Sequence, residues 1–226
     1  MIKSCENCLH KCESFDKLQH RELAVISAKK CQIDFKAGET IAKMGTFATD
    51  IITLESGYAK AYYEEKLGGE RIVKIYKPKE LIGVSALFNG HKHPLSVAAI
   101  TDVTACMLDS GSLRDAALAN PKFGEALFGN ISGEFNYTVR RFAEATQKQM
   151  AGRMADGLLY LSQQIFEAEE FDMLISRQDL ANFTGMAKES VSRLLRTFKT
   201  DGVIDLDGRR VRILNMKKLK QVSDLG

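Results

Sequence analysis

An α+β architecture is what the sequence predicts: an N-terminal β-barrel or jelly roll, one long helix, and a C-terminal module of two short helices closed by a hairpin. Three observations carry that expectation. Short apolar runs separated by glycine turns fill residues 31–108. From Pro121, glycines become few and apolar residues recur every third or fourth position. The last fifty residues hold a capped helix, a glycine turn, a two-faced helix and an Asp-Gly hairpin signal. A chain of 226 residues with 45% hydrophobic and 27% charged content has room for two domains with real cores. The expected boundaries are 1–120, 121–148 and 149–226.

Residues 1–12 form an arm bearing Cys5, Cys8 and Cys12. Residues 13–29 read as one short amphipathic helix with Phe15, Leu18, Leu23 and Ile26 on its apolar side. The strand-like runs are then IDF, DIITL, YAKAYY, RIVKIY, SVAAI and VTACML. The turns between them include Lys36-Ala37-Gly38-Glu39, Glu55-Ser56-Gly57 and Gly68-Gly69. Strands at about ten-residue spacing with turn chemistry between them predict a sandwich or small barrel.

Pro121 suits a first helical turn. Phe123, Leu127, Ile131, Phe135, Thr138, Phe142 and Ala145 then recur at helical spacing, a seam suited to a partner helix. A homodimer is therefore expected, with a helix packed on its own barrel as the other reading. A further helix is expected from about Gln149 to Phe166.

In the C-terminal module Ser176-Arg177-Gln178-Asp179 forms a capping box and Thr184-Gly185-Met186 a tight turn. A second helix runs from about Lys188 to Thr200. Val191, Leu194, Leu195 and Phe198 make its apolar stripe; Glu189, Ser192, Arg193 and Arg196 share the opposite one. Arginine can donate twice to guanine O6 and N7, glutamate can accept from cytosine N4, and serine is permissive. Lys188 and Ser190 flank these groups. After Gly202, VIDL and RRVRIL surround Asp207-Gly208, a hairpin whose Arg209, Arg210 and Arg212 suit phosphate contact. From Met173 to Val222, eleven basic residues face five acidic ones, while the whole chain carries only +3. This is the footprint of a winged helix-turn-helix on duplex DNA; its main rival is a winged helix used only for protein contacts.

Over nearly its whole length the chain resembles bacterial CRP/FNR-type transcription regulators. FKAGETI and LESGYAK resemble that family's strand-turn signatures, ISGEF its dimerisation helix, and Glu189-Ser190-Val191-Ser192-Arg193 the recognition segment of its FNR branch. The resemblance implies a cyclic-nucleotide-binding-like barrel, a dimer on a palindromic TTGA-like site read by Glu189, Ser192 and Arg193, and RNA polymerase as a partner. Cyclic AMP is disfavoured. Gly83 is followed by Val84 and Ser85, and no arginine lies between Arg71 and Arg114 to fork onto a phosphate.

Cys5, Cys8 and Cys12 with Cys106 resemble the oxygen-sensing set of the FNR branch, which holds a 4Fe–4S cluster on four thiolates. The gap before the third cysteine is shorter here than in that branch. Oxygen or nitric oxide would be the signal. Zinc on the three arm cysteines with Cys106 or His10 as the fourth ligand, a reversible disulfide sensor, and a simple core role for Cys106 are the other readings. Cys31 reads as structural. A small organic effector or haem in the barrel, through His91 or His93, is the alternative without a cluster. No P-loop, dinucleotide motif or nucleophile–base pair points to an enzyme. The N-terminal residues lack a secretory apolar region and no run reaches about 18 apolar residues, so a cytoplasmic protein without membrane attachment is expected.

Overall fold

The computed structural model describes residues 8, 11–66 and 68–226. The chain divides into two compact units, residues 1–66 with 74–137 and residues 67–73 with 138–226.

The strands β1 (Cys31–Phe35), β8 (Val103–Asp109), β3 (Asp50–Ser56) and β6 (Leu81–Ile82) pair in that order as one sheet. A second sheet has the order β2 (Thr40–Ala42), β7 (Ser96–Ala99), β4 (Ala59–Glu64) and β5 (Glu70–Tyr76). Two four-stranded sheets with these crossovers make a jelly roll, the second of the two predicted forms. The two-residue period decides what each strand residue does. On β3, Ile52 and Leu54 enter the core between the sheets; on β8, Val103 and Ala105 join them. Their neighbours Ile51, Cys106 and Leu108 point to the other face, into a second core.

Helices cover that second core. α1 (His20–Ala28) contributes Leu23 and Ile26, and α2 (Ser110–Ala119) contributes Leu113, Ala116 and Ala117. The single helix expected over 13–29 is broken. A 3₁₀ turn at Glu13–Lys17 gives way at Leu18, and Gln19 starts α1 in a reciprocal capping box with Glu22. Phe15 from the turn meets Phe123 edge to face at 5.9 Å.

The long helix α3 (Pro121–Gln147) begins where Asn120 accepts from the Lys122 and Phe123 amides at 3.1 and 3.2 Å. The predicted seam is corrected at its start. Phe123 and Leu127 are buried in the jelly roll's outer core, and Ile131 is packed against it. The exposed stripe is instead Phe128 (69%), Phe135 (67%), Val139 (50%) and Phe142 (71%), with the phenylalanines seven residues apart. Sequence period finds both faces of such a helix and cannot rank them.

The second unit is helical with a three-stranded sheet. α4 (Met150–Tyr160) ends in a single π turn at Leu161–Ile165. α5 (Arg177–Thr184) and α6 (Lys188–Thr200) follow β9 (Glu170–Asp172), and the sheet order is β10 (Ile204–Asp207), β11 (Arg210–Ile213), β9. α7 (Met216–Leu225) closes the unit with Leu219 buried, its start capped by Asn215. Among the described residues no helix is long and apolar enough to cross a membrane.

Candidate nucleic-acid interface

α6 separates its residues by solvation. Val191, Leu195 and Phe198 are at most 4% exposed, and Leu194 is half-buried. Lys188, Glu189, Arg193 and Arg196 are exposed, with Ser190 and Ser192 between. Lys188, Glu189, Ser192, Arg193 and Arg196 line one shallow surface groove, joined by Thr197 and Thr200, which the sequence reading did not single out. Both threonines lie one further turn along the same stripe. Ser190 stands off that groove. Ser192 donates to the Lys188 carbonyl at 3.0 Å, so its hydroxyl retains acceptor capacity.

The angle of α6 depends on the preceding turn. Ser176 accepts from the Asp179 amide at 2.9 Å, completing the expected capping box of α5. Gly185 ends that helix with φ of 68°, a left-handed conformation that favours glycine. Arg141 donates to the Phe183 carbonyl at 2.6 Å and lies 4.2 Å over the Phe183 ring. Arg153 donates to the Gly185 carbonyl at 3.0 Å. Two guanidiniums thus fix the turn between the helices.

The wing forms as the Asp-Gly signal predicts, with Gly208 at φ 57°. Its arginines differ in role. Arg209 donates to the Met173 and Leu174 carbonyls at 3.1 and 3.2 Å, which ties its guanidinium to the wing's base. Glu170 bridges the other two, pairing with Arg210 Nε and with Arg212 Nε at 2.7 Å. The hydrogen bond from Arg212 holds the Glu170 carboxyl below the usual range, aided by Arg210. Arg210 and Arg212 both remain exposed at the wing surface.

In the first unit, Cys8, Cys12 and Cys106 line a single small pocket with Phe15, Thr53 and Lys30. Strand alternation brings Cys106 there, on the face that α1–α3 cover. Cys5 and His10 lie outside the described residues. Among the described residues no three His, Cys, Asp or Glu side chains close into a metal-holding group. Burial pushes the Cys12 thiol up, so a metal must displace its proton. Its Sγ donates to Ser14 Oγ at 3.8 Å, and Asn130 of α3 donates to the same oxygen at 2.7 Å. The soft sulfur donors fit an iron–sulfur group by chemistry. So does Thr53 Oγ1 on the same wall, a buried polar atom without a hydrogen-bond partner among the described residues. Cys31 is corrected: it is exposed on β1, at the edge of its sheet, and has no core role.

Within the jelly roll, His93 is buried against Gly83, whose Cβ position lies 3.5 Å from the imidazole. Burial pushes its pKa down, so at neutral pH it offers no cation to a phosphate. His91 and Lys92 point to solvent, Lys92 over the Phe47 ring at 5.5 Å.

Residues 32–120 match the cyclic nucleotide-binding domain model and residues 152–222 the Crp-like helix-turn-helix domain model. The chain is 26% identical over 235 residues to the "Anaerobic regulatory protein" of Aggregatibacter actinomycetemcomitans, covering 97% of this chain and 87% of the relative. It is 26% identical over 203 residues to the "Fumarate and nitrate reduction regulatory protein" of Escherichia coli K12, covering 88% and 80%. The solved structure of FixK2 from Bradyrhizobium japonicum superposes with a TM-score of 0.80 at 23% identity, covering 85% of this chain and 96% of that one.

Proposed function

Because this chain belongs to the CRP/FNR family of DNA-binding transcription regulators, we propose that it acts as a homodimer on a palindromic, TTGA-like duplex site, under control of a thiol-held iron–sulfur group. The division of α6 into a buried Val191/Leu195/Phe198 side and an exposed Glu189/Ser192/Arg193 side carries the reading. Arg193 donates its fork to guanine O6 and N7, and Glu189 accepts from cytosine N4. Arg196 with Arg210 and Arg212 neutralises flanking phosphates. The exposed stripe of Phe128, Phe135, Val139 and Phe142 supports self-association of α3. Two-fold symmetry then places two reading helices about 34 Å apart, one turn of DNA.

Cys8, Cys12 and Cys106, with Cys5, would hold the 4Fe–4S group. When bound, the group supplies a centre that oxygen or nitric oxide destroys. The Cys12–Ser14–Asn130 hydrogen bonds give the state of the thiols a route to α3 beside its exposed stripe. Further along α3, Arg141 holds the turn before α6. Dimer packing and reading-helix placement therefore share one element, the arrangement that a shift between two states requires. Bound protein would act on RNA polymerase in the cytoplasm.

Binding of wild type and Arg193→Ala to a TTGA-type palindrome and to its single-base variants tests the DNA reading. Loss of about 1–3 kcal/mol of discrimination at the guanine position, with folding intact, is expected. Retained selectivity would remove Arg193 from the reading face. Anaerobic isolation separates the signals: a brown protein containing iron and sulfide supports the cluster. A colourless one with reactive thiols supports control by a small organic effector in the barrel, and a haem absorption band without iron-bound sulfide supports haem there.

A further inference from the structure

We propose that Thr53 is a positioning residue for the thiol site: it donates its hydroxyl hydrogen to a metal-bound cysteine sulfur and so sets how firmly the site holds its metal. This rests on the thiol-site reading above.

Thr53 lies between Ile52 and Leu54 in the middle of β3, where valine would have the same shape. It is 7% exposed, and its Oγ1 has no hydrogen-bond partner among the described residues. A buried hydroxyl without a partner is destabilising, and such groups are uncommon in folded chains. Its position identifies the partner class. Thr53 sits opposite Cys106 in the β3–β8 register, and both line the pocket that Cys8 and Cys12 share. Alternation sends Ile52 and Leu54 to the other core, so this hydroxyl has no access to the barrel interior.

The chemistry explains why the hydroxyl is idle with the thiols protonated. A neutral thiol is a weak acceptor. A metal-bound thiolate carries negative charge, and hydrogen bonds to ionised acceptors are about twice as strong as neutral ones. Thr53 thus gains an acceptor only in the loaded state. Lys30, 8% exposed, and Lys11 stand on the same wall and favour negative charge there, with Glu55 opposing them.

The test uses the full-length chain, loaded anaerobically with ferrous iron and sulfide, in wild type, Thr53→Val and Thr53→Ser. Iron retention against a chelator and the midpoint potential are read. Valine is expected to weaken iron retention by about tenfold to a hundredfold, the range for groups supporting a metal ligand. It also lowers the potential, because a hydrogen bond to sulfur favours the reduced, more negative state. Serine restores both. The metal-free valine variant melts no lower than wild type. Equal retention and equal potential in wild type and Thr53→Val would overturn the role of Thr53 while leaving the thiol site standing. A wild type that takes up no iron would overturn the site reading, and this proposal with it.

Discussion

Replacing Glu170 by glutamine isolates the electrostatics of the wing. Glu170 sits between Arg210 and Arg212, with the Arg212 pair at 2.7 Å, so the three side chains present one net positive charge to a phosphate backbone. Glutamine raises that to two. Each phosphate neutralised contributes about 0.9 to the slope of log affinity against log salt. The variant should therefore steepen the slope by about 0.9, so that moving from 50 to 200 mM salt weakens it roughly three- to fourfold more than wild type. Fluorescence anisotropy with a palindromic and a scrambled duplex measures this. Both duplexes should bind more tightly at low salt, because phosphate contacts carry no sequence information. An unchanged slope on both would show that the wing stays away from phosphates. The same ion pairs give a pH signature. Glu170 has a folded pKa below its ordinary value, chiefly through Arg212. Its contribution to stability is thus fully present above the unfolded carboxylate range and is lost as pH falls through the lowered folded value. The glutamine variant should lose that part of the acid sensitivity.

Other outcomes follow from the same geometry. Phe135→Glu places a charge in the exposed stripe of α3; sedimentation should find a monomer, with the fold of each chain intact by circular dichroism because the ring is 67% exposed on the single chain. Leu195→Ala removes a side chain only 1% exposed beneath the reading face. Chemical denaturation should show a loss of about 2–5 kcal/mol, whereas Arg193→Ala should lose almost none. Alkylation of the metal-free protein near pH 8, followed by peptide mass spectrometry, should modify exposed Cys31 well before Cys12, whose thiol is buried and held protonated.

The capping box at Ser176, the turn glycines at 185 and 208, and the two stripes of α6 were all readable in the sequence. Each is a local feature whose geometry depends on residues within one or two turns. The jelly roll was readable in outline for the same reason, since alternation and glycine turns mark its longer strands. What sequence reasoning missed depends on distant partners. α2 and α7 went unnoticed, although Asp109 and Asn215 cap them, because neither has a long apolar period. Phe123 and Leu127 fit a dimer seam by spacing, and only packing against Phe15 and Ile26 shows that they belong to the chain's own core. The wing arginines looked alike, yet Arg209 is held by backbone carbonyls and the other two by Glu170, a residue about forty positions earlier. Thr53 gave no signal at all until its strand register set it opposite Cys106.

Methylation interference on a TTGA-type palindrome probes the contact between α6 and the major groove at the level of one atom. Dimethyl sulfate blocks guanine N7, the acceptor assigned to Arg193. Wild-type protein should reject duplexes methylated at the half-site guanine on either side of the dyad, and Arg193→Ala should bind methylated and unmethylated duplexes alike. Wild-type binding indifferent to that methyl group would mean that the exposed side of this helix does not enter the groove.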